Sequence, residues 1–356
     1  MRYDLFFVIL TIASVFIRCG TPLAAEDDLF DVRDSAAAAI PVILDTDIGG
    51  DIDDTFALAL LHNFESRGVC KLLGVTTTDV NPADVDFVAA FNAIYGRPEI
   101  PVGVGVGRKD GSYLSGITSQ KDASGALEYP VPEGFRAREA IPLLRETLAA
   151  AEDRSVVIVL LGPCSNLAAL LDSSADAASP LGGRELVEKK VRLLSVMAGA
   201  FAVDETAASY AAHREWNVIC DVPAAQKVAR EWPGEIVFSG YEVGDRIRIN
   251  PVNLKRDYSK RAKIIHDSFG YWAAENTDEG FDHRRPTWGP TSVLFVLRPE
   301  EGRGYYTLSG PGDVDFDDDG VTLFTPNPKG TRRCFLVDET QRVRVGEAFV
   351  NLFSEP

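Results

Sequence analysis

The chain has 356 residues, 46% of them apolar, enough for one large α/β core or two smaller ones, which argues against a disordered chain. Its 53 acidic and 36 basic residues give a formal charge of −17. That balance argues against nucleic-acid and anionic-membrane recognition, both of which need a basic footprint, and leaves cations or neutral small molecules as partners.

Met1 and Arg2 open an apolar run from Leu5 to Ile17 that is short for a bilayer span, and small residues follow it around Ala25. We expect residues 1–25 to be a signal peptide, although Asp4 weakens its positive end. The mature chain is then exported, periplasmic or secreted, with no membrane attachment after cleavage. Four cysteines remain, Cys70, Cys164, Cys220 and Cys334, each in or beside an apolar segment and without CxxC spacing. Buried free thiols are expected, not a disulfide framework or a zinc site.

From Ile40 onward, strand-like runs alternate with helical periods. IPVILDTD reads as a strand, TFALALLHNFESRG as a helix, CKLLGVTTT as a strand and PADVDFVAAFNAIYGRP as a helix. The glycines of VGVGVGR, Gly103 to Gly107, read as a loop, since no helix follows at the spacing of a dinucleotide fingerprint. The irregular text from Gly107 to Phe135 is a candidate lid. Then come a helical REAIPLLRETLAAAEDR, the buried-type strand SVVIVLLG, a helix opening at Ser165 and the strand KVRLLSVMAGA. This order predicts βαβ units and an α/β fold with an open, mostly parallel sheet covered by helices on both faces. We assign that domain to residues 40–300. Residues 301–356 read as short strands and tight turns, a C-terminal β-rich extension packed on the same domain. Within it DFDDDG, Asp315 to Gly320, opens like a calcium-binding loop, but its twelfth position is Pro326 and no flanking helices are evident, so a hairpin turn is expected.

The densest chemistry lies in DTDIGGDIDD, which places Asp45, Asp47, Asp51, Asp53 and Asp54 within ten residues at a strand's carboxyl end. Ligands in open α/β sheets bind at such ends. Carboxylates along a tight turn, with Gly49 and Gly50 freeing the backbone, suit a hard divalent cation that takes oxygen ligands. Helix capping explains Asp53 or Asp54 but not all five.

DTDIGGDIDDTFAL resembles the N-terminal signature of the inosine-uridine preferring nucleoside hydrolases, DTDxGxDDxxAL, with two residues inserted before the paired aspartates. LLGVTTTDVN, NAIYGRPEIPVGVG, VLLGPCSNLAALL, VMAGAF and EWNVICDVPAAQKV continue the resemblance over nearly the whole chain after residue 40. It implies hydrolysis of a ribonucleoside to ribose and base, with Ca²⁺ as cofactor. By the same resemblance, Asp47, Asp54 and the Leu161 carbonyl are calcium ligands, and Asp47 is also the base toward the attacking water. Asp53, Asn81, Glu215 and Asn217 grip the ribose hydroxyls, and Met197 packs against the sugar. Alternation around Trp216 along an extended segment would point Glu215 and Asn217 the same way. Taken alone, Asn81 also reads as the cap of a helix starting at Pro82. A homo-oligomer is implied by resemblance only.

The chain departs from the family where a calcium-binding aspartate follows Trp288, because position 289 is glycine. Asp51 is the candidate replacement ligand. The histidine that would protonate the leaving base is absent as well, with His213 and His283 the nearest in sequence. A second reading is therefore a degenerate member that binds a ribosyl ligand without turnover. A phosphatase of the haloacid dehalogenase type, suggested by DTDIG, lacks the downstream lysine and acidic pair that it needs.

Overall fold

The computed structural model describes residues 38–107, 111–203, 207–250, 259–298 and 304–354. The expected signal peptide lies outside the described residues. In chain order the elements begin with β1 (Ile40–Thr46), α1 (Asp53–Ser66), β2 (Cys70–Thr77), α2 (Pro82–Ile94), β3 (Val102–Val104), α3 (Leu114–Ser119), β4 (Arg138–Glu139), α4 (Ala140–Ala150) and β5 (Val156–Leu160). They continue with α5 (Ser165–Asp172), α6 (Gly183–Lys190), β6 (Val191–Met197), α7 (Trp216–Cys220), α8 (Val222–Glu231), β7 (Ile236–Ser239), α9 (Tyr241–Arg246), β8 (Arg248–Ile249), α10 (Lys260–Asn276), β9 (Arg285–Pro286) and α11 (Trp288–Leu297). The last are β10 (Thr307–Leu308), β11 (Gly312–Phe316), β12 (Thr322–Pro326), β13 (Arg332–Leu336) and α12 (Glu339–Ser354).

The main sheet runs β12-β11-β13-β7-β6-β5-β1-β2-β3-β4, and every neighbouring pair from β13 to β4 is parallel. Central strands of this kind are covered on both faces, which is why VVIVL of β5 is apolar and buried throughout. The expected open, mostly parallel α/β sheet is what forms. The chain moves outward from β1 through β2, β3 and β4, then returns to β5 beside β1 and moves outward the other way. The strand order thus reverses between β1 and β5, where carboxyl ends part to leave a crevice.

Helix α11 is buried from Gly289 to Leu297 and packs on α1, β6 and α9, so it is apolar all round instead of striped. Helix α12 closes over α1, stacking Phe353 on Phe56 with ring centroids 5.2 Å apart, and the Asn63 side-chain amide donates to the Leu352 carbonyl at 3.0 Å. Among the described residues no helix is long and apolar enough to cross a membrane.

Some local expectations change. Gly103 lies in strand β3 and not in a loop; a Cβ there would meet Thr76 Cγ2 at 2.8 Å, so only glycine lets β3 sit this close to β2. The candidate lid is tied down in its described part: Tyr113 and Leu114 are buried, and Tyr129 Oη donates to Asp267 of α10 at 2.7 Å. DFDDDG forms a hairpin turn between β11 and β12, with Asp317 accepting the N–H groups of Asp319 and Val321. The segment after residue 304 also supplies β13, which extends the parallel sheet beside β7, and it ends in α12. Cys70, Cys164 and Cys334 are buried and Cys220 is half-buried, and none of the four is in a disulfide among the described residues.

Candidate active site

A cavity of about 410 Å³ opens over the carboxyl ends of β1, β5 and β6, at the point where the strand order reverses. Asp47, the residue directly after β1, and Asp51 in the turn that follows reach it, and the first turn of α1 delivers Asp53 and Asp54. The turn is tight because of Gly49, whose φ is +112°, and a Cβ there would lie 2.2 Å from Asp84 Oδ1. Strand β5 contributes Leu161, followed by Gly162, where a Cβ would come within 2.9 Å of the Asp47 Cβ. Strand β6 contributes Met197, and the start of α7 contributes Glu215, Trp216 and Asn217.

All of the residues expected at the site line this cavity except Asn81. Its Oδ1 accepts the Ala83 N–H at 3.1 Å as the cap of α2, the role that its place before Pro82 also suggested. Glu215 and Asn217 reach the cavity by a different geometry from the extended alternation expected of them. Glu215 is the N-cap of α7: Oε1 accepts from Asn217 N at 2.9 Å, and Oε2 from Val218 N at 3.2 Å and Gly199 N at 3.1 Å. The Asn217 amide donates to the Leu161 carbonyl at 2.7 Å and to the Met197 carbonyl at 3.0 Å. It thereby ties β5 to β6 beneath the cavity.

Asp51 also lines the cavity, but the structure gives it a partner other than a cation. Arg285 Nε donates to its Oδ1 at 3.0 Å, and the same guanidinium forms an ion pair with its Oδ2. The Ile52 N–H adds a further bond at 2.6 Å. Arg285 lies 4.5 Å from the Trp272 ring and 5.0 Å from the Trp288 ring, so Asp51 belongs to a clamped cation–aromatic stack. Asp53 Oδ2 accepts the Gly289 N–H at 2.6 Å, and Asp54 Oδ1 accepts from Thr46 Oγ1 at 2.5 Å. A Cβ at position 289 would stand 3.2 Å from Asp53 Oδ2, so the missing side chain would have pointed at the carboxylates.

Burial, with the charges of Asp79 and Asp53, pushes the Asp47 carboxyl well above its ordinary range. Burial and the charges of Asp47 and Asp53 do the same to Asp54. Burial raises Asp53 to about 6 and Glu215 to about 7, in both cases against the backbone N–H groups that favour the ionised form. Beneath them Asp45, fully buried and pushed by burial to about 7, accepts from Thr76 Oγ1 and the Asn166 amide. Burial thus disfavours the charged form of every one of these carboxyls, and among the described residues that line the cavity there is no lysine, arginine or histidine to offset it. Hard oxygen donors are what calcium or magnesium takes, so the donor chemistry fits such an ion. The arrangement is not a closed cage: among the described residues no three His, Cys, Asp or Glu side chains converge as one.

Sequence reasoning missed Asp79, Trp216 and Tyr241 as lining residues and did not give Trp288 a place in the wall. Asp79 directly follows the carboxyl end of β2, and that position alone could have marked it. Tyr241 and Trp288 pack with ring centroids 5.2 Å apart, while Trp216 is 56% exposed at the rim. Neither histidine considered for the leaving group lines the cavity. His213 is stacked on Tyr241 at 3.9 Å, and His283 is bonded to Glu279 at 2.9 Å.

Residues 42–349 match the family model described as inosine-uridine preferring nucleoside hydrolase. No curated protein matches the chain. Among solved structures, a plant nucleoside hydrolase is 21% identical with a TM-score of 0.65, over 89% of this chain and 99% of that one. An inosine-uridine preferring nucleoside hydrolase from Bacillus anthracis is 18% identical with a TM-score of 0.61, over 88% and 99%. The type III effector protein XopQ, complexed with adenosine diphosphate ribose, is 15% identical with a TM-score of 0.59, over 92% and 95%. At such identities the structural likeness establishes the fold.

Proposed function

The chain belongs to the inosine-uridine preferring nucleoside hydrolase family, and from that membership we propose that its cavity hydrolyses the N-glycosidic bond of a ribonucleoside, giving ribose and free base. The observation that carries this reading is the cavity at the strand-order reversal, where a carboxylate floor faces an aromatic wall. Breaking an N-glycosidic bond builds positive charge on the sugar ring, and fixed carboxylates stabilise that charge without reorganising. In this reading the ribose lies on Asp53, Glu215 and Asn217 with Met197 beneath it, and Asp47 takes a proton from the attacking water. The Asn217 amide is held by two backbone carbonyls, which leaves its Oδ1 for a sugar hydroxyl. XopQ's complex with adenosine diphosphate ribose supports a ribosyl ligand for this fold.

Ca²⁺ is the cofactor we propose, with Asp47, Asp54 and the Leu161 carbonyl as the groups that would hold it. When bound, such an ion supplies positive charge to the anionic floor and acidifies water beside it. Asp51 was the other ligand expected, and its ion pair with Arg285 argues against that role. Export after removal of residues 1–25 and assembly into a homo-oligomer complete the reading.

A second reading is that the chain binds a ribosyl ligand without turning it over. Gly289 favours it, offering the floor a backbone N–H where the family has a carboxylate. Calcium titration calorimetry on the protein and on Asp54→Asn, paired with a ribose-release assay, separates the two. Calcium binding lost in Asp54→Asn, together with ribose release that a chelator abolishes, supports the hydrolase. Ligand binding without ribose release under any metal condition supports the binder.

A further inference from the structure

We propose that the β11–β12 hairpin is a positioning element of the active site, with Gly320 at its tip as the residue that sets where the first turn of α7 presents Glu215 and Asn217 to the cavity. The inference rests on the hydrolase reading, in which those two side chains hold the sugar, and gives the C-terminal segment a part in it.

Helix α7 has five residues, too few for its own backbone bonds to make it stable. Among the described residues there is no strand or α-helix between the end of β6 at Met197 and the start of α7 at Trp216, so β6 alone does not fix where α7 lies. Glu215 bridges the two segments. Its Oε2 accepts the Gly199 N–H on the β6 side at 3.1 Å and the Val218 N–H on the α7 side at 3.2 Å, and its Oε1 accepts the Asn217 N–H at 2.9 Å. Whatever holds these segments at the right spacing therefore shapes the seat of the carboxylate.

The hairpin touches both. On the β6 side Thr322 Oγ1 accepts the Ala200 N–H at 2.8 Å, and Gly199, with φ of +76°, leaves room for it, since a Cβ there would stand 2.7 Å from that oxygen. On the α7 side Arg214 pairs with Val321 in an antiparallel bridge, and its Nε donates to the Asp319 carbonyl at 2.5 Å. At the tip Gly320, with φ of +84°, lies against α7 itself, where a Cβ would come within 2.7 Å of Ile219 Cγ2.

The base of the hairpin is anchored on α8. The Gln226 amide donates to the Phe316 carbonyl at 2.9 Å, and Arg230 Nε donates to Asp315 Oδ1 at 2.8 Å, so a push at the tip is not absorbed by the hairpin swinging away. Ile219 is β-branched and turns poorly about χ1. A methyl group at position 320 is then accommodated by displacement of α7, and with it Glu215 and Asn217. Groups that hold the sugar in ground state and transition state alike make their displacement felt in KM and not in kcat.

The test compares the full chain with Gly320→Ala, Ile219→Ala and the double variant. It measures KM and kcat for ribose release from inosine and uridine with calcium, D-ribose affinity by calorimetry, and the thermal midpoint. Gly320→Ala should raise KM about fivefold, near the net worth of one hydrogen bond, with kcat within about twofold of the parent. The double variant should return to the parent's KM, because the methyl group then has space, while its midpoint stays below the parent's, since alanine at positive φ is strained in either background. A parental KM in Gly320→Ala, or a raised KM that Ile219→Ala does not relieve, overturns the inference. Should Gly320→Ala fail to fold, Arg214→Ala carries the test from an exposed side chain. It should raise KM about threefold at an unchanged midpoint, and an unchanged KM overturns the inference. If the parent releases no ribose, the hydrolase reading fails, and the same shifts are read in D-ribose affinity. A parent that neither releases nor binds ribose leaves no sugar for the hairpin to position, and the inference falls as well.

Discussion

Asn217 is the side chain whose removal should cost most for its size. It is 6% exposed, and its amide donates to the Leu161 and Met197 carbonyls at 2.7 and 3.0 Å while its nitrogen lies 3.2 Å from Met197 Sδ. In Asn217→Ala both carbonyls lose this donor where little water can replace it. A buried polar group left without its partner costs about 1–3 kcal/mol, so the pair should lower stability by about 2–4 kcal/mol. Against a whole-domain stability of about 5–15 kcal/mol, that is a large fraction. Asn217→Asp keeps the shape but turns a carboxylate oxygen toward two carbonyl oxygens, and it should be at least as damaging as alanine. Urea unfolding followed by far-UV circular dichroism reads both, as a fall in midpoint at unchanged slope. An alanine variant within about 0.5 kcal/mol of the parent, the range of ordinary surface substitutions, would refute the idea that Asn217 ties β5 to β6.

Three further outcomes are expected. Gly289→Asp adds a carboxylate whose Cβ would stand 3.1 Å from Leu161 Cδ1 and 3.2 Å from Asp53 Oδ2, close enough that these side chains must give by a few tenths of an ångström, and one more anionic ligand should tighten calcium binding by about tenfold in calorimetry; no change, with the fold intact, would place position 289 outside the ion's reach. Thr322 Oγ1 of the C-terminal hairpin accepts the Ala200 N–H at 2.8 Å, next to the Gly199 N–H that binds Glu215; Thr322→Val should raise KM about fivefold with kcat little changed, whereas Thr322→Ser should stay near the parent, and equal KM values for all three would dismiss the hairpin as a support for that strand end. Burial pulls the His62 imidazole from its ordinary 6.5 down to about 3, so below pH 6.5 the unfolded chain binds a proton that the folded chain refuses. Stability is therefore fully present above pH 6.5 and falls as pH drops toward 3, and the parent should lose about 1.4 kcal/mol per pH unit more than His62→Gln in that window; parallel profiles would contradict it.

The hydrophobic periods of the sequence located β1, β2, β5 and β6 and the helices α1, α2 and α4 to within a few residues, and the start of α5, because buried parallel strands are written as short β-branched runs; α3, inside the irregular text, and α6 were not read. Crowded aspartates at the end of β1 marked the floor of the cavity for a similar reason: so much like charge at a strand end is costly without a ligand. What the sequence did not disclose depends on distant partners. Asp51 and Arg285 are 234 residues apart, and nothing local tells a carboxylate held by a guanidinium from one free for a cation. Glu215 and Asn217 were read as extended because WNVIC is too short to show a helical period, yet Glu215 starts a helix and caps it. Helix α12 follows turn-rich text, carries Gly346 in its middle and shows its apolar side only against α1, so its packing and not its local pattern defines it. Asn81 had two readings, and its bond to Ala83 N is the capping one.

The most direct test of the central claim is ribose release by the full chain with added calcium, run beside Asp47→Ala and beside the parent in chelator. The account expects the parent to release ribose, with loss of at least a hundredfold in Asp47→Ala, about the smallest effect of deleting a general base, and loss on chelation. Ribose release that survives Asp47→Ala would contradict it, because the chemistry would then lie somewhere other than the carboxylate floor at the end of β1.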